Sequence, residues 1–154
     1  MSAYDAVQKA RLRLTDLTPL KTDCGRLCAG ACCQGDDQTG MLLFPGEERY
    51  YENARWCRLI PHGSTHLLVC EGRCPRENRP LACRIFPLVT LPGGRAPLDV
   101  RAWPVCPLMP HGRKALRQDF VAAVKQAARI LETDPRCLAF MEELEALIKA
   151  YKEL

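Results

Sequence analysis

The feature that most constrains this chain is a cluster of four cysteines, Cys24, Cys28, Cys32 and Cys33, within ten consecutive residues. A chain has little reason to place thiols so close together unless they share metal ions or form disulfides. The later cysteines best placed to complete such a site are Cys70, Cys74, Cys83 and Cys106. The sequence therefore predicts a metal centre or a set of disulfides built from these eight residues.

Cysteine density and the N-terminal sequence favour metal over disulfides. Ten cysteines among 154 residues lie below the density typical of disulfide-stapled secreted domains. The segment Met1–Gln8 lacks the apolar core of a signal peptide, and no apolar run approaches the roughly 20 residues that a membrane span needs. We therefore expect a cytoplasmic protein with no membrane partner, in which the clustered thiols stay reduced and available as ligands.

The formal net charge of +4 agrees with metal ions as the partners. Thiols must ionise to bind metal, and eight thiolates with two divalent ions would bring this charge to zero. A charge this small does not by itself indicate a nucleic-acid partner. The basic residues near the later cysteines are explained by shielding of thiolates, and nothing in the pattern identifies a protein partner.

The adjacent pair Cys32 and Cys33 bears on the number of metal ions. Adjacent side chains point apart in regular structure, so the easier geometry gives each thiol to a different ion. Three residues separate Cys24 from Cys28, and three separate Cys28 from Cys32. These intervening residues include glycines, which favour an irregular loop over a long helix. Zinc takes four tetrahedral ligands, whereas iron–sulfur clusters also use cysteine thiolates. We expect two zinc ions or an iron–sulfur cluster.

Three stretches carry a resemblance to a known family. They are the four-cysteine cluster, Gly-Arg-Cys at 72–74, and Arg-Pro-Leu-Ala-Cys-Arg-Ile-Phe-Pro at 79–87. Together they resemble the YkgJ-like family, which is described as zinc- or iron-chelating and named for a Cys-x-x-Cys-x-x-Cys-Cys motif. The leading spacings here are three and three residues, where the family has two and two.

The resemblance implies eight metal-binding cysteines but no defined reaction. By motif these are Cys24, Cys28, Cys32, Cys33, Cys74 and Cys83, with Cys70 and Cys106 as the remaining pair. A related cysteine motif in flagellin lysine methylases leaves an iron–sulfur role open.

Several residues near the motifs have predicted supporting roles. Arg79 and Arg84 bracket Cys83, and we expect their guanidinium groups to donate hydrogen bonds to the metal-bound sulfurs. His66 lies four residues before Cys70, so whether it replaces a cysteine ligand stays open. Cys57 and Cys137 fall in predicted helices, where packing is the expected role of each thiol.

The predicted fold is a single α+β domain over 1–154, with an irregular metal region over 20–107 and a C-terminal antiparallel helical hairpin over 112–152. Its predicted elements are a capped helix over 3–16, a strand at 41–44, a helix from Pro45 to near Cys57, a turn at 61–64, a strand at 66–70, a β-hairpin over 88–102, and helices over 112–132 and from Pro135 onward.

A metal-binding protein with a structural or sensing role is the leading functional hypothesis. An iron–sulfur enzyme of electron transfer or radical chemistry is one alternative, and a zinc-stabilised module that binds protein or RNA is another. The chain has no phosphate-binding glycine loop and no His-Glu-x-x-His motif. No catalytic residue is therefore predicted.

Overall fold

The structure is a computed structural model, and it describes residues 2–20, 41–71 and 75–152. These ranges contain a three-stranded antiparallel sheet and five helices, which confirms the α+β class. The elements are α1 Ala3–Leu12, β1 Met41–Leu42, α2 Glu48–Tyr51, β2 Cys57–His62, β3 Thr65–Cys70, α3 Leu81–Ile85, α4 Gln118–Leu131 and α5 Pro135–Lys152.

Helix α1 begins with the predicted capping box. The Ser2 hydroxyl accepts a hydrogen bond from the Asp5 N–H, and the Asp5 carboxylate accepts one from the Ser2 N–H. The prediction that this helix reaches residue 16 is wrong, because it ends at Leu12. After Leu12 the N–H groups bond to carbonyls three residues back, and Asp16 adopts a positive φ of 63°. This tighter winding and the left-handed residue end the helix.

Strand β3 is the centre of the sheet, with β1 and β2 on either side of it. The predicted helix from Pro45 to near Cys57 is wrong in its second half, because α2 ends at Tyr51 and Cys57 opens β2. Pairing with the buried strand β3 outweighs the local helical pattern of this segment. The predicted turn at 61–64 is limited to Gly63 and Ser64, because residues 61 and 62 belong to β2 and pair with β3.

The predicted β-hairpin over 88–102 forms only in part. Two isolated bridge pairs hold it, Leu88 with Leu98 and Leu91 with Arg95. Pro92 and Pro97 lie within this segment, and a proline has no N–H to donate to a ladder, so a continuous pair of strands does not develop.

Helix α4 begins at Gln118, not at 112 as predicted. Short 3₁₀ turns at Met109–His111 and Arg113–Ala115 come first, on either side of Gly112, whose φ is 73°. The predicted close pairing of α4 with α5 is also wrong, because α4 packs mainly along α1. Helix α1 therefore packs against α4 in the position that the sequence predicted for α5.

Helix α5 begins as predicted, with Asp134 as its cap. The Asp134 carboxylate accepts a hydrogen bond from the Cys137 N–H at 3.0 Å. The Phe140 ring on this helix meets Phe44, just after β1, edge to face at 4.9 Å between ring centroids. These contacts join α5 to a main core that α1, α3 and α4 share. Leu43, Tyr51, Cys57 and Leu68 form a smaller second core.

Candidate functional site

Three of the eight predicted metal ligands lie in the described ranges. Cys70 ends β3, Cys83 lies in the middle of α3, and Cys106 follows a 3₁₀ turn at Val100–Ala102. All three side chains are half-buried. The other five lie outside the described residues: Cys24, Cys28, Cys32, Cys33 and Cys74.

The three described ligands do not form a metal site by themselves. Cys70 packs against the second core, whereas Cys106 packs against the main core. Within 2–20, 41–71 and 75–152, no three His, Cys, Asp or Glu side chains are grouped so that they could hold a metal ion. Any complete centre therefore needs cysteines from the segments that the structure leaves out.

Cys57 lies directly opposite Cys70 in the antiparallel ladder of β2 and β3. The next pair along, Trp56 and Glu71, is joined by a hydrogen bond from the Glu71 N–H to the Trp56 carbonyl at 2.8 Å. Hydrogen-bonded and non-hydrogen-bonded pairs alternate along such a ladder, so the two cysteines occupy a non-hydrogen-bonded position. Side chains at that position point to the same face and approach most closely.

The sequence assigned Cys57 to packing in a helix, so it missed this neighbour of Cys70. The signal that could have found it is the turn at Gly63 and Ser64, which fixes the register of the two strands. Cys57 is buried and Cys70 is half-buried. The face that they share also carries Leu68 of the second core.

His66 does not fit the role of an additional ligand beside Cys70. Both residues belong to β3 and are four positions apart. A strand rises about 3.4 Å per residue, which separates their Cα atoms by about 13 Å. Side chains that stand perpendicular to the sheet cannot share one ion across that distance. The His66 Nδ1 atom is buried and makes no hydrogen bond among the residues described.

Cys83 is positioned by a buried carboxylate from another part of the chain. Glu47 is fully buried, and its two oxygens accept hydrogen bonds from the N–H groups of Phe44 at 3.0 Å and Leu81 at 2.9 Å. Leu81 is the first residue of α3, where helical N–H groups lack partners within the helix. Glu47 therefore fixes the start of the short helix that carries Cys83.

Gly46 allows Glu47 to reach this buried position. Its φ is 90°, and a Cβ atom there would lie 3.1 Å from the backbone nitrogen of Tyr4 in α1. Glycine suits both the positive φ and the close approach of the two backbones. The turn can therefore pack against α1 and direct the Glu47 carboxylate inward.

Tyr51 and Arg11 extend this network to Asn78, directly before the motif at 79–87 that contains Cys83. The Tyr51 hydroxyl donates to the Asn78 carbonyl at 2.6 Å and accepts from Arg11 Nη1 at 3.4 Å. Burial raises the pKa of Tyr51, and nearby Glu47 and Cys83 raise it further, against a lowering by Arg11.

Arg84 holds the backbone that precedes Cys83. Its Nε donates to the Arg79 carbonyl at 3.0 Å, and its Nη2 donates to the Glu77 carbonyl at 2.7 Å. The expected bonds from Arg84 to a metal-bound sulfur therefore compete with a backbone role that the sequence did not predict. Arg79 has a buried Nε with no hydrogen-bond partner among the described residues.

Positive charge exceeds negative charge around Cys83. Burial lowers the pKa of Arg84, and the neighbouring guanidinium groups of Arg11 and Arg79 lower it further. Arg11 is itself buried and lies 3.7 Å from Glu47, between Nη1 and Oε2. Like charges in a poorly solvated region repel unless an anion compensates them. Among the residues described, Glu47 is the buried carboxylate that accompanies these three guanidinium groups, so this region is suited to a further anion.

Comparison of the chain with protein-family models, with curated proteins and with solved structures finds no match. Of the helices that the structure describes, none is both long enough and apolar enough to cross a membrane.

Proposed function

We propose that this protein binds metal through its cysteines, in a structural or sensing role. The ligands are Cys24, Cys28, Cys32, Cys33, Cys70, Cys74, Cys83 and Cys106, and they hold either zinc ions or an iron–sulfur cluster. The resemblance of the cysteine motifs to the YkgJ-like family supports this proposal. Thiols crowded as metal ligands stay reduced in a reducing compartment, which we take to be the cytoplasm.

The observation that carries the proposal is the excess of guanidinium groups beside Cys83. The charges of Arg11 and Arg79 both lower the pKa of Arg84, and among the residues described Glu47 is a buried carboxylate that lies 3.7 Å from Arg11. A zinc ion with four thiolates carries a net charge of −2, so a thiolate–metal unit would supply the missing anion. The Nε of Arg79, which has no hydrogen-bond partner among the described residues, is a donor of the kind that bonds to metal-bound sulfur.

Cys57 joins the candidate ligands because of its position opposite Cys70. A metal ion that recruits the thiol of Cys70 would have the thiol of Cys57 on the same face of the sheet. Thiolates bind zinc at about 2.3 Å, and two neighbouring cysteines on paired strands supply two of its four ligands readily. We therefore place Cys57 beside Cys70 as a further donor.

Elemental analysis of anaerobically purified protein tests the proposal. We expect about two zinc ions per chain, or about four iron atoms with matching acid-labile sulfide. Visible absorbance separates the two outcomes, because zinc is colourless and iron–sulfur thiolates absorb. Protein that is free of both metals after anaerobic purification, and that takes up neither on reconstitution, would contradict metal binding.

Cysteine variants test the assignment of ligands. Cys83→Ser and Cys57→Ser should each lower the metal content, because each removes a thiolate donor. Cys137→Ser is the matched control for Cys57→Ser, since both thiols are buried, and it should retain metal. Full metal content in Cys57→Ser would remove Cys57 from the ligand set, and equal loss in Cys83→Ser and Cys137→Ser would contradict the assignment of Cys83.

A further inference from the structure

A cavity of about 510 Å³ lies between the sheet, α3, the partial hairpin and α5. Its walls are mostly apolar and include Leu67 of β3, Ala82 of α3, Val89 of the hairpin and Leu144 of α5. Sites for small molecules in proteins are concave and mostly apolar, and they have volumes of about 300–1,000 Å³. This cavity has the size and lining of such a site.

Several exposed apolar side chains lie at this cavity. Val105, Leu147 and Tyr151 line it, and they are 38%, 44% and 42% exposed. They are three of the six large hydrophobic residues that are exposed in the described ranges. Their concentration at one opening marks the route by which an apolar molecule would enter.

One wall of the cavity carries an ion pair with no net charge. Arg101 donates from Nε to Asp99 Oδ1 at 2.9 Å and from Nη2 to Asp99 Oδ2 at 2.7 Å. Asp99 Oδ1 also accepts a hydrogen bond from the Arg101 N–H. The carboxylate is therefore neutralised and well bonded, and the pair offers little net attraction to a charged ligand.

Thr90 also lines the cavity, and it carries a hydroxyl group. Its side chain is fully buried, and its Oγ1 makes no hydrogen bond among the residues described. A buried hydroxyl without a hydrogen-bond partner has lost its hydration and gained no bond in exchange, which is unfavourable. A ligand carbonyl or hydroxyl that reaches Thr90 would relieve that cost.

We propose that this cavity binds a neutral, largely apolar small molecule that carries one carbonyl or hydroxyl group. The apolar walls take the body of the molecule, the polar group bonds to Thr90, and the exposed apolar residues form the entrance. Because the Asp99–Arg101 pair offers a carboxylate no net attraction, the loss of hydration that a carboxylate would suffer in this apolar cavity is not compensated. This inference does not depend on the cysteine-bound metal.

Titration of the full-length protein with N-phenyl-1-naphthylamine, a neutral apolar fluorophore, tests the proposal. We expect saturable binding that Leu147→Trp weakens about tenfold, because the larger ring narrows the entrance. Leu12→Trp is the matched control, since Leu12 is an exposed leucine on α1 that does not line the cavity. Absence of saturable binding, or equal affinity in the wild type and both variants, would overturn the proposal.

Displacement of the fluorophore tests the ligand class. We expect 1-decanol to displace it at about one tenth of the concentration that decanoate needs, and Thr90→Val to weaken decanol binding about fivefold through loss of one hydrogen bond. Thr133→Val, which changes an exposed threonine outside the cavity, should leave decanol binding unchanged. Decanoate that competes as well as decanol, or equal effects of the two valine variants, would refute the neutral ligand.

Discussion

Glu47 joins three parts of the chain through one carboxylate. It bonds to Phe44 in its own turn and to Leu81 at the start of α3, and it faces Arg11 of α1. Removing a carboxylate from water is costly, and two backbone N–H donors and a guanidinium group offset that cost in part. The position of Cys83, two residues after Leu81, therefore depends on a residue well before it in the chain.

This carboxylate should make stability depend on pH. Burial raises the pKa of Glu47 above its ordinary value of 4.5, although the hydrogen bonds from Leu81 and Phe44 and the charge of Arg11 oppose the rise. Because the folded-state pKa is the higher one, the contribution of Glu47 is fully present below pH 4.5 and is lost as pH rises through the folded-state pKa. We expect the free energy of unfolding of the wild type to fall with pH in that window, relative to Glu47→Gln.

Urea unfolding of both proteins at a series of pH values from 4 to 8 measures this difference. Glu142→Gln is the control, since Glu142 is exposed on α5 and its change should shift stability little at any pH. A constant difference between the wild type and Glu47→Gln across the whole range would show that burial does not raise this pKa.

Among the elements, the caps show what the sequence predicts well. Ser2 with Asp5, and Asp134 with Pro135, are local signals, and the structure has a cap at both positions. The helix that was predicted to include Cys57 depended on a local pattern too, but pairing with β3 overrode it. Local chemistry therefore set the starts of these helices, and contacts distant in sequence set where other elements end.

The cap of α5 gives a prediction at this scale. Asp134→Ala removes the acceptor of the Cys137 N–H and should cost about 1 kcal/mol. For a chain of this length that cost lowers the melting temperature by about 2–4 °C. Thr133→Ala, an exposed neighbouring change, should lower it less, and calorimetry of the three proteins compares them. Equal melting temperatures for the wild type and Asp134→Ala would contradict the role of this cap.

At the scale of the whole molecule, the sequence predicted candidate metal ligands but not which residues lie beside them in the fold. The spacing of the cysteines predicts metal binding, yet strand register alone brings Cys57 opposite Cys70. Arg84 illustrates the same limit, since two of its nitrogens bond to backbone carbonyls that only the folded loop presents. Register and loop closure depend on the packing of the complete chain, so a pattern of residue types could not reveal these contacts.

Metal removal should separate two kinds of protected cysteine. Burial raises the pKa of Cys137 to about 12, so this thiol stays protonated near neutral pH and reacts slowly with alkylating reagents. Cys83 is half-buried, and in the proposed site its thiolate is protected because it is bound to metal. We expect brief alkylation of the native protein to label neither residue, and a chelator to expose Cys83 while Cys137 stays unlabelled. Peptide mapping by mass spectrometry measures both sites in one sample.

Labelling of Cys83 at the same rate before and after chelation would contradict its role as a ligand. Rapid labelling of Cys83 with metal still bound would instead favour a reactive centre.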